Sequence, residues 1–489
     1  MAEFDYDLLV IGSGPAGQRA AIQAAKLGKR VAIVERKYTV GGVQVNTGTI
    51  PSKTFREAVL DLTGFLERTF YGASYTAKQN ITIADLLMRI DKVVQHEIEV
   101  IRHQLTRNGV ELIGATASFL DPHTLTLEFP DARGQRVLRG EFILIATGTD
   151  VTLDPKIPFD GRRVITSDDV VRLDRLPRTL VVVGAGVVGC EYASMFAALG
   201  VRVTLIDRRS DLLKFVDDEI VDAFTYHLRD NRTTIWLNEE VAGIDWIDTP
   251  NGDGVRLHLA SGKQVIAEKA LYSIGRTGNT AKLNLEAAGL RADDRGRLKV
   301  NEHYQTEVPH IYAAGDVIGF PSLASTSMEQ GRIAACHAFH ADPCSSSDLF
   351  PYGIYSIPEI SMCGRTEEEL TKQGVPYEVG KAHYREIARG EIIGDTSGLL
   401  KLVFRADTHE LLGVHILGEG AAELVHIGQA VLAHKGKIEY FVNTVFNYPT
   451  LAECYKVAAF DGLNRMGGRP IIESQVPPGP GRAPAGSSA

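Results

Sequence analysis

Residues Asp7–Arg36 read DLLVIGSGPAGQRAAIQAAKLGKRVAIVER. The run Leu8-Leu9-Val10-Ile11 has the length and composition of a buried strand. Gly12-Ser13-Gly14-Pro15-Ala16-Gly17 follows at once, and then comes an Ala-rich segment with helical spacing that Gly28 ends. Val31-Ala32-Ile33-Val34 reads as a second strand, closed by Glu35. Each part has a physical reason. Gly12 permits the tight turn out of the strand, Gly14 lets the backbone approach a pyrophosphate, and Gly17 lets the helix pack close to the strand. The start of the helix supplies free N–H groups and a positive dipole end for phosphates. Glu35 stands where an acid can accept hydrogen bonds from both hydroxyls of a ribose. A glycine turn of purely structural purpose would need neither the flanking strands nor the terminal acid.

The unit occurs twice. Leu180-Val181-Val182-Val183 leads into Gly184-Ala185-Gly186-Val187-Val188-Gly189, a helix is expected over Cys190–Leu199, Gly200 ends it, and Val203-Thr204-Leu205-Ile206 leads to Asp207. Gly12, Gly17, Gly28 and Glu35 correspond to Gly184, Gly189, Gly200 and Asp207 at one constant offset. The second copy keeps its glycines and its acid, so two nucleotide sites are expected. After Asp207 come Arg208 and Arg209. An acid there favours a free ribose hydroxyl, as in NAD, whereas a nearby arginine accommodates the extra phosphate of NADP. The bland alternative is a pair of solvated arginines on a turn.

A chain of 489 residues has room for about three domains. A net charge of −9 argues against nucleic acid as the main partner, because phosphate binding needs a basic face. No apolar run approaches bilayer length, so no membrane partner is expected. The first strand begins so early that no signal peptide is expected before it. Cys190, Cys336, Cys344, Cys363 and Cys454 are scattered without metal-ligand spacing, which fits unpaired thiols in a reducing cytoplasm.

Further along, Gly41-Gly42-Val43-Gln44-Val45-Asn46-Thr47-Gly48-Thr49-Ile50-Pro51-Ser52-Lys53 is rich in glycine and hydroxyls and precedes a helix expected from near Ser52. Short strands are expected over residues 111–142, then a buried strand Phe142–Ala146 closed by Thr147-Gly148. Tyr312-Ala313-Ala314-Gly315-Asp316 reads as a strand ending on a carboxylate offered to a ribitol or ribose chain, before a helix starting near Ser322. Coming after two dinucleotide units, it is read as the first domain resuming. The expected organisation is a first nucleotide domain over 1–150 that continues over 279–350, a second over 151–278, and a C-terminal mixed domain over 351–465. A tail over 474–489, rich in Pro, Gly and Ser, is expected to be disordered.

From Asp5 to Leu463 the chain resembles the flavoprotein disulfide reductases with two dinucleotide-binding domains. The likeness rests on motifs in order: GSGPAG with Glu35, GGVQVNTGTIPSK, ATG at 146–148, GAGVVG with Asp207, SIGR at 273–276, AAGD at 313–316 and FNYPTLAE at 446–453. It implies an α/β fold of two Rossmann-like FAD- and NAD(P)-binding domains plus a C-terminal α+β dimerisation domain, and a homodimer or higher homo-oligomer. FAD is expected in the first site and a nicotinamide nucleotide in the second. Disulfide reductases of this kind carry two cysteines where this chain has Gln44 and Thr49, and a His where it has Tyr448 beside Pro449; Glu453 remains. Neither Gln nor Thr can relay electrons to a disulfide. What survives resembles the soluble pyridine nucleotide transhydrogenases, which share GTIPSK, GRTGNT and FNYPT with this chain, although that group usually keeps the first Cys.

The resemblance implies reversible hydride transfer between NADPH and NAD through flavin N5, by a ping-pong route, with NAD(H) and NADP(H) as partners. It places Lys53 near the flavin, paired with Glu191, where a cation stabilises negative charge on the ring. Thr147 and Gly148 are expected against FAD, Gly41 and Gly42 near its pyrophosphate, Gly315 and Asp316 at its ribitol, and Leu323 and Ala324 at a helix start facing the ring. Gly275 and Arg276 are expected at the nicotinamide nucleotide site. Two alternatives are an FAD-dependent NAD(P)H diaphorase or quinone reductase, and a non-enzymatic flavin redox sensor.

Overall fold

The computed structural model describes residues 3–130, 134–249, 252–343 and 349–467. The tail over 474–489 and Cys344 lie outside the described residues. The first βαβ unit is the strand Tyr6–Ile11, the helix Pro15–Lys26 and the strand Val31–Glu35; the second is Thr179–Val183, Val187–Ala198 and Arg202–Asp207. Their pairing repeats residue for residue. Leu8 lies opposite Val31 and Ile11 opposite Val34; Leu180 lies opposite Val203 and Val183 opposite Ile206. Both central strands are covered on both faces, which is why their apolar runs do not alternate with polar residues.

In the first sheet, Glu111–Gly114, Val31–Glu35, Tyr6–Ile11, the second half of Gln135–Ile145 and Ile311–Ala313 lie side by side and parallel. The first half of Gln135–Ile145 instead joins an antiparallel meander with Thr124–Glu128 and Thr116–Asp121. The second sheet is also parallel, in the order Thr234–Leu237, Arg202–Asp207, Thr179–Val183, Lys269–Tyr272, Val164–Thr166. A third, antiparallel sheet orders Tyr352–Ile354, Ile360–Gly364, Leu411–Leu417, Leu399–Arg405 and Tyr377–His383, with the helices Ala421–Ala433 and Glu453–Arg465 against it.

The small residues of the first helix have a packing reason. Ala16, Ala20, Ala21 and Ala24 are buried, and the helix Ala324–Ala338 lies so close that a methyl on Gly331 would come 2.1 Å from the Ala16 carbonyl oxygen. The helix expected from near Ser52 begins at Thr49, and a short helix, Gly42–Asn46, precedes it. Gly41 enters that short helix at φ 101°, and the Asn46 amide ties it down by donating to the carbonyls of Val40 and Gly42.

Buried charges join the three sheets. Arg56, almost wholly buried, donates to the Ser356 carbonyl at 2.9 Å and pairs with Glu359 at 3.1 Å and Glu419 at 2.8 Å. Lys401, also buried, reaches Asp217 at 2.7 Å and Glu219 at 3.2 Å and pairs with Glu367, so the second nucleotide unit docks on the C-terminal sheet through an ammonium. Such pairs add little net stability over apolar packing, but losing one partner strands the other's charge.

Candidate active site

A cavity of about 660 Å³ opens at the carboxyl ends of the first sheet's strands. Gly12, Gly14, Glu35, Gly42, Lys53, Thr147, Gly148, Glu191, Arg276, Gly315, Asp316, Leu323 and Ala324 all line it. Gly17 and Gly41 stand behind the wall. A methyl on Gly17 would lie 2.0 Å from the Gly12 carbonyl oxygen, so its bareness serves the helix–turn contact. The Gly41 N–H donates to the Ser13 carbonyl and hydroxyl, each at 3.2 Å, and so holds the glycine-rich loop over the turn. Gly184, Gly186, Gly189, Asp207, Arg208, Arg209 and Gly275 sit outside this cavity, with the second unit.

The first unit is built to receive a dinucleotide. Gly12 turns at φ 105°, and any side chain there would strike the Ala146 carbonyl at 2.4 Å. Gly14 is different: a methyl on it would meet no protein atom within 4 Å, so the fold has no use for its bareness, whereas a phosphate approaching the helix start does. Glu35 is buried, with one oxygen accepting from the Ser13 N–H at 2.9 Å and hydroxyl at 2.6 Å and the other from the Lys37 N–H at 2.8 Å. The Thr147 hydroxyl on the cavity wall has no hydrogen-bond partner among the described residues. Asp316 also faces the cavity. Burial pushes its carboxyl above the usual range, and Arg276 and the Thr149 hydroxyl at 3.4 Å pull it back only in part. An orphaned hydroxyl, an under-satisfied acid and an open glycine cradle fit a polar ligand with hydroxyls and phosphates, which is the chemistry of FAD.

Arg276, expected at the second nucleotide site, lies on the wall of the cavity where the two units meet. Strand Arg276–Gly278 pairs with Thr149–Val151 in a separate two-stranded antiparallel sheet, just past the end of the strand Gln135–Ile145. The guanidinium donates to the Thr149 hydroxyl at 2.8 Å and carbonyl at 2.9 Å and lies 3.4 Å from Asp168.

Lys53, on the helix Thr49–Thr63, meets Glu191, on the helix of the second unit, at 2.7 and 2.9 Å to its two oxygens. The Glu191 side chain is 4% exposed and Lys53 25%. Two residues with no motif to reveal them complete the pair. The Tyr355 N–H donates to Glu191 at 2.9 Å, and its ring lies under the Lys53 ammonium, 4.8 Å from centroid to nitrogen. The Ser194 hydroxyl accepts from the Ile357 N–H at 3.0 Å and donates to the Glu191 carbonyl at 2.8 Å. No periodicity or spacing marks these residues, because the contacts join segments far apart in the chain. Ser13 and Thr149 were likewise missed, although each sits inside or beside a glycine motif.

In the second unit Asp207 accepts from the Ala185 N–H at 2.6 Å and the Arg209 N–H at 2.8 Å, and the Arg209 side chain grips it at 3.0 and 2.7 Å. Burial raises the Asp207 carboxyl, but these donors outweigh it and hold it below the usual range. Arg208 is exposed.

Thiol chemistry has no footing on the cavity wall, where Gln44 and Thr49 stand at the expected dithiol positions. The described cysteines are buried; burial raises the Cys190 thiol, and pushes Cys363 to about 11 and Cys454 to about 12. Tyr448 is 74% exposed on the C-terminal domain.

Two nucleotide units meeting at one cavity, with an ion pair between them on its wall and no thiol, define a two-nucleotide oxidoreductase of the flavoprotein type. The chain belongs to the pyridine nucleotide-disulphide oxidoreductase family: residues 6–331 match that family and residues 350–459 match its dimerisation domain. It is 54% identical, over 94% of its length and 98% of the relative's, to a protein of Mycobacterium bovis (strain BCG / Pasteur 1173P2) named soluble pyridine nucleotide transhydrogenase. A protein of the same name from Hahella chejuensis is 47% identical over 95% of this chain and 100% of its own. Among solved structures, LpdA of Mycobacterium tuberculosis is similar at a TM-score of 0.84 and 27% identity, covering 93% of this chain and 99% of that one. The HOCl-induced flavoprotein disulfide reductase RclA of Escherichia coli is similar at a TM-score of 0.82 and 28% identity, covering 93% and 99%. Among the described residues no helix is long and apolar enough to cross a membrane.

Proposed function

We propose that this protein is an FAD-dependent transhydrogenase that moves hydride reversibly between NADPH and NAD, and that it acts in the cytoplasm as a homodimer or larger assembly. The observation that carries this reading is the Lys53–Glu191 pair held on the cavity wall while both dithiol positions, Gln44 and Thr49, lack sulfur.

FAD, when bound, would supply a resident carrier for the hydride between departure of one nicotinamide nucleotide and arrival of the other, which no side chain of the protein provides. The chain supplies position and field. Gly14, Gly42 and the first helix start would hold the pyrophosphate, Glu35 the adenosine ribose, and Asp316 with the Thr147 hydroxyl the polyol. Lys53 sets a positive charge on the cavity wall, and Glu191 and Tyr355 fix where it stands. A cation there favours negative charge on the ring beside it. Val187 and Val188, at the start of the second helix, line the same cavity, so a nucleotide on the second unit can present its reacting end there. With a single such unit, donor and acceptor must take turns.

The test is direct. NADPH should bleach the yellow protein without oxygen, and NAD should then restore the colour with formation of NADH. Bleaching that NAD does not reverse, while quinones do, would favour a diaphorase or quinone reductase; no bleaching by either nucleotide would favour the non-enzymatic sensor.

A further inference from the structure

The two nucleotide units repeat each other's backbone hydrogen bonds and differ in what lies on the terminal acid. In the first, Glu35 accepts from the N–H groups of Ser13 and Lys37. In the second, Asp207 accepts from those of Ala185 and Arg209, the corresponding positions. Among the described residues Glu35 meets beyond these bonds only the Ser13 hydroxyl, and Lys37 forms no ion pair. Asp207 instead meets a guanidinium fork, Nε at 3.0 Å to one oxygen and a terminal nitrogen at 2.7 Å to the other.

The consequence is electrostatic. A bare carboxylate at the end of this strand attracts a ribose with two hydroxyls and repels one carrying a 2′-phosphate. A fork-on-fork pair is close to neutral and fixed in geometry. The two partners also differ in freedom. The Asp207 side chain is 5% exposed and anchored by backbone donors, whereas Arg209 is 48% exposed. Arg209 reaches the mouth of the glycine turn, 4.0 Å from where a Cβ on Gly186 would stand. It therefore has outward N–H groups to offer a ligand while it still covers the acid.

We infer that Arg209 masks Asp207 and so makes the second site accept adenosine riboses with or without a 2′-phosphate. A ribose with both hydroxyls takes Asp207 as Arg209 turns toward solvent. A 2′-phosphate takes the outward donors of Arg209, and the charge of Asp207 is cancelled beneath it. Arg208, exposed and without an ion pair among the described residues, adds general positive charge only. The inference rests on reading the second unit as the site of both nucleotides, and it names the residue that lets one site serve both.

Calorimetry on the flavin-loaded protein with adenosine 2′,5′-bisphosphate and with 5′-AMP tests it without requiring hydride transfer. Arg209→Ala should weaken the bisphosphate by roughly a hundredfold or more, because a charge-assisted contact is lost and a negative charge uncovered, and should leave 5′-AMP within about threefold. The distinguishing result is rescue. Adding Asp207→Asn to Arg209→Ala should restore bisphosphate affinity by about tenfold, although the double variant has lost both charges. Arg209→Gln is carried in parallel in case the smaller side chain disturbs the turn, and it should show the same rescue. Equal bisphosphate affinity in single and double variants, or as large a loss from Arg208→Ala, would overturn the masking. Failure of both ligands to bind the unaltered protein would overturn the site reading with it.

Discussion

Gly14 and Gly17 belong to one turn but carry different burdens. The Gly14 backbone, at φ −70° and ψ −177°, suits any residue, and a methyl on it would meet no protein atom within 4 Å. A methyl on Gly17 would lie 2.0 Å from the Gly12 carbonyl oxygen and 3.1 Å from a Val10 methyl. In the apoprotein, Gly14→Ala should change stability by less than about 1 kcal/mol, since the loss of a glycine N-cap and the lower entropy of the unfolded chain oppose each other. The same methyl occupies space that the pyrophosphate needs. Overpacking by one methyl is worth about 1–3 kcal/mol, so FAD affinity should fall by roughly five- to 150-fold. Gly17→Ala must move a backbone carbonyl and should destabilise the apoprotein by about 3 kcal/mol or more, ligand or not. Urea unfolding of each apoprotein and titration with FAD, followed by flavin fluorescence, separate the two effects. The reasoning fails if apo Gly14→Ala unfolds more than about 2 kcal/mol early, or if it binds FAD as tightly as the parent.

Lys53→Met should destabilise the protein by about 2–3 kcal/mol, less than a fully buried pair because Lys53 is a quarter exposed, and Lys53→Met with Glu191→Gln should recover part of the loss; a double variant no more stable than the single would dissolve the coupling. Lys401→Met strands Asp217 and should lower stability by about 3–5 kcal/mol near neutral pH, read by denaturant melts. Burial raises Asp217, but its partners hold it below the ordinary 3.8, so its contribution is complete above 3.8 and is lost as pH falls further. Burial lowers Lys401, but Asp217 and Glu367 hold it above the ordinary 10.5, so its contribution is complete below 10.5 and is lost as pH climbs through the raised value. The gap between parent and variant should therefore be widest between about pH 5 and 10 and shrink steadily as pH falls below 3.8; a gap that does not shrink in acid would count against the pair. Glutathione and dihydrolipoamide assays should show no turnover, given Gln44 and Thr49, and robust rates would reveal a thiol pair elsewhere. Initial-rate plots should be parallel, as alternating use of one nucleotide unit requires; intersecting lines would mean a second nicotinamide nucleotide site.

The glycine spacing around Gly12 and Gly184, the unbroken apolar runs before them and the acids after them were enough to specify two Rossmann-like units, because turn, strand and helix start are local constraints written in neighbouring residues. The missing thiols at Gln44 and Thr49 were legible for the same reason, through the motif that surrounds them. The helix Gly42–Asn46 was not, since Gly41 and the Asn46 side chain make it rather than any periodicity. The contacts of Tyr355 and Arg276 were not legible either. Arg276 reaches Thr149 on the cavity wall because its strand pairs with Thr149–Val151, and Tyr355 reaches Lys53 and Glu191 because the third sheet brings its segment against their helices. Arg208 and Arg209 look alike in sequence, two arginines after an acid. The turn after Asp207 decides between them, folding Arg209 back onto the carboxylate and leaving Arg208 exposed, because the side chain that meets an acid depends on backbone direction and not on adjacency.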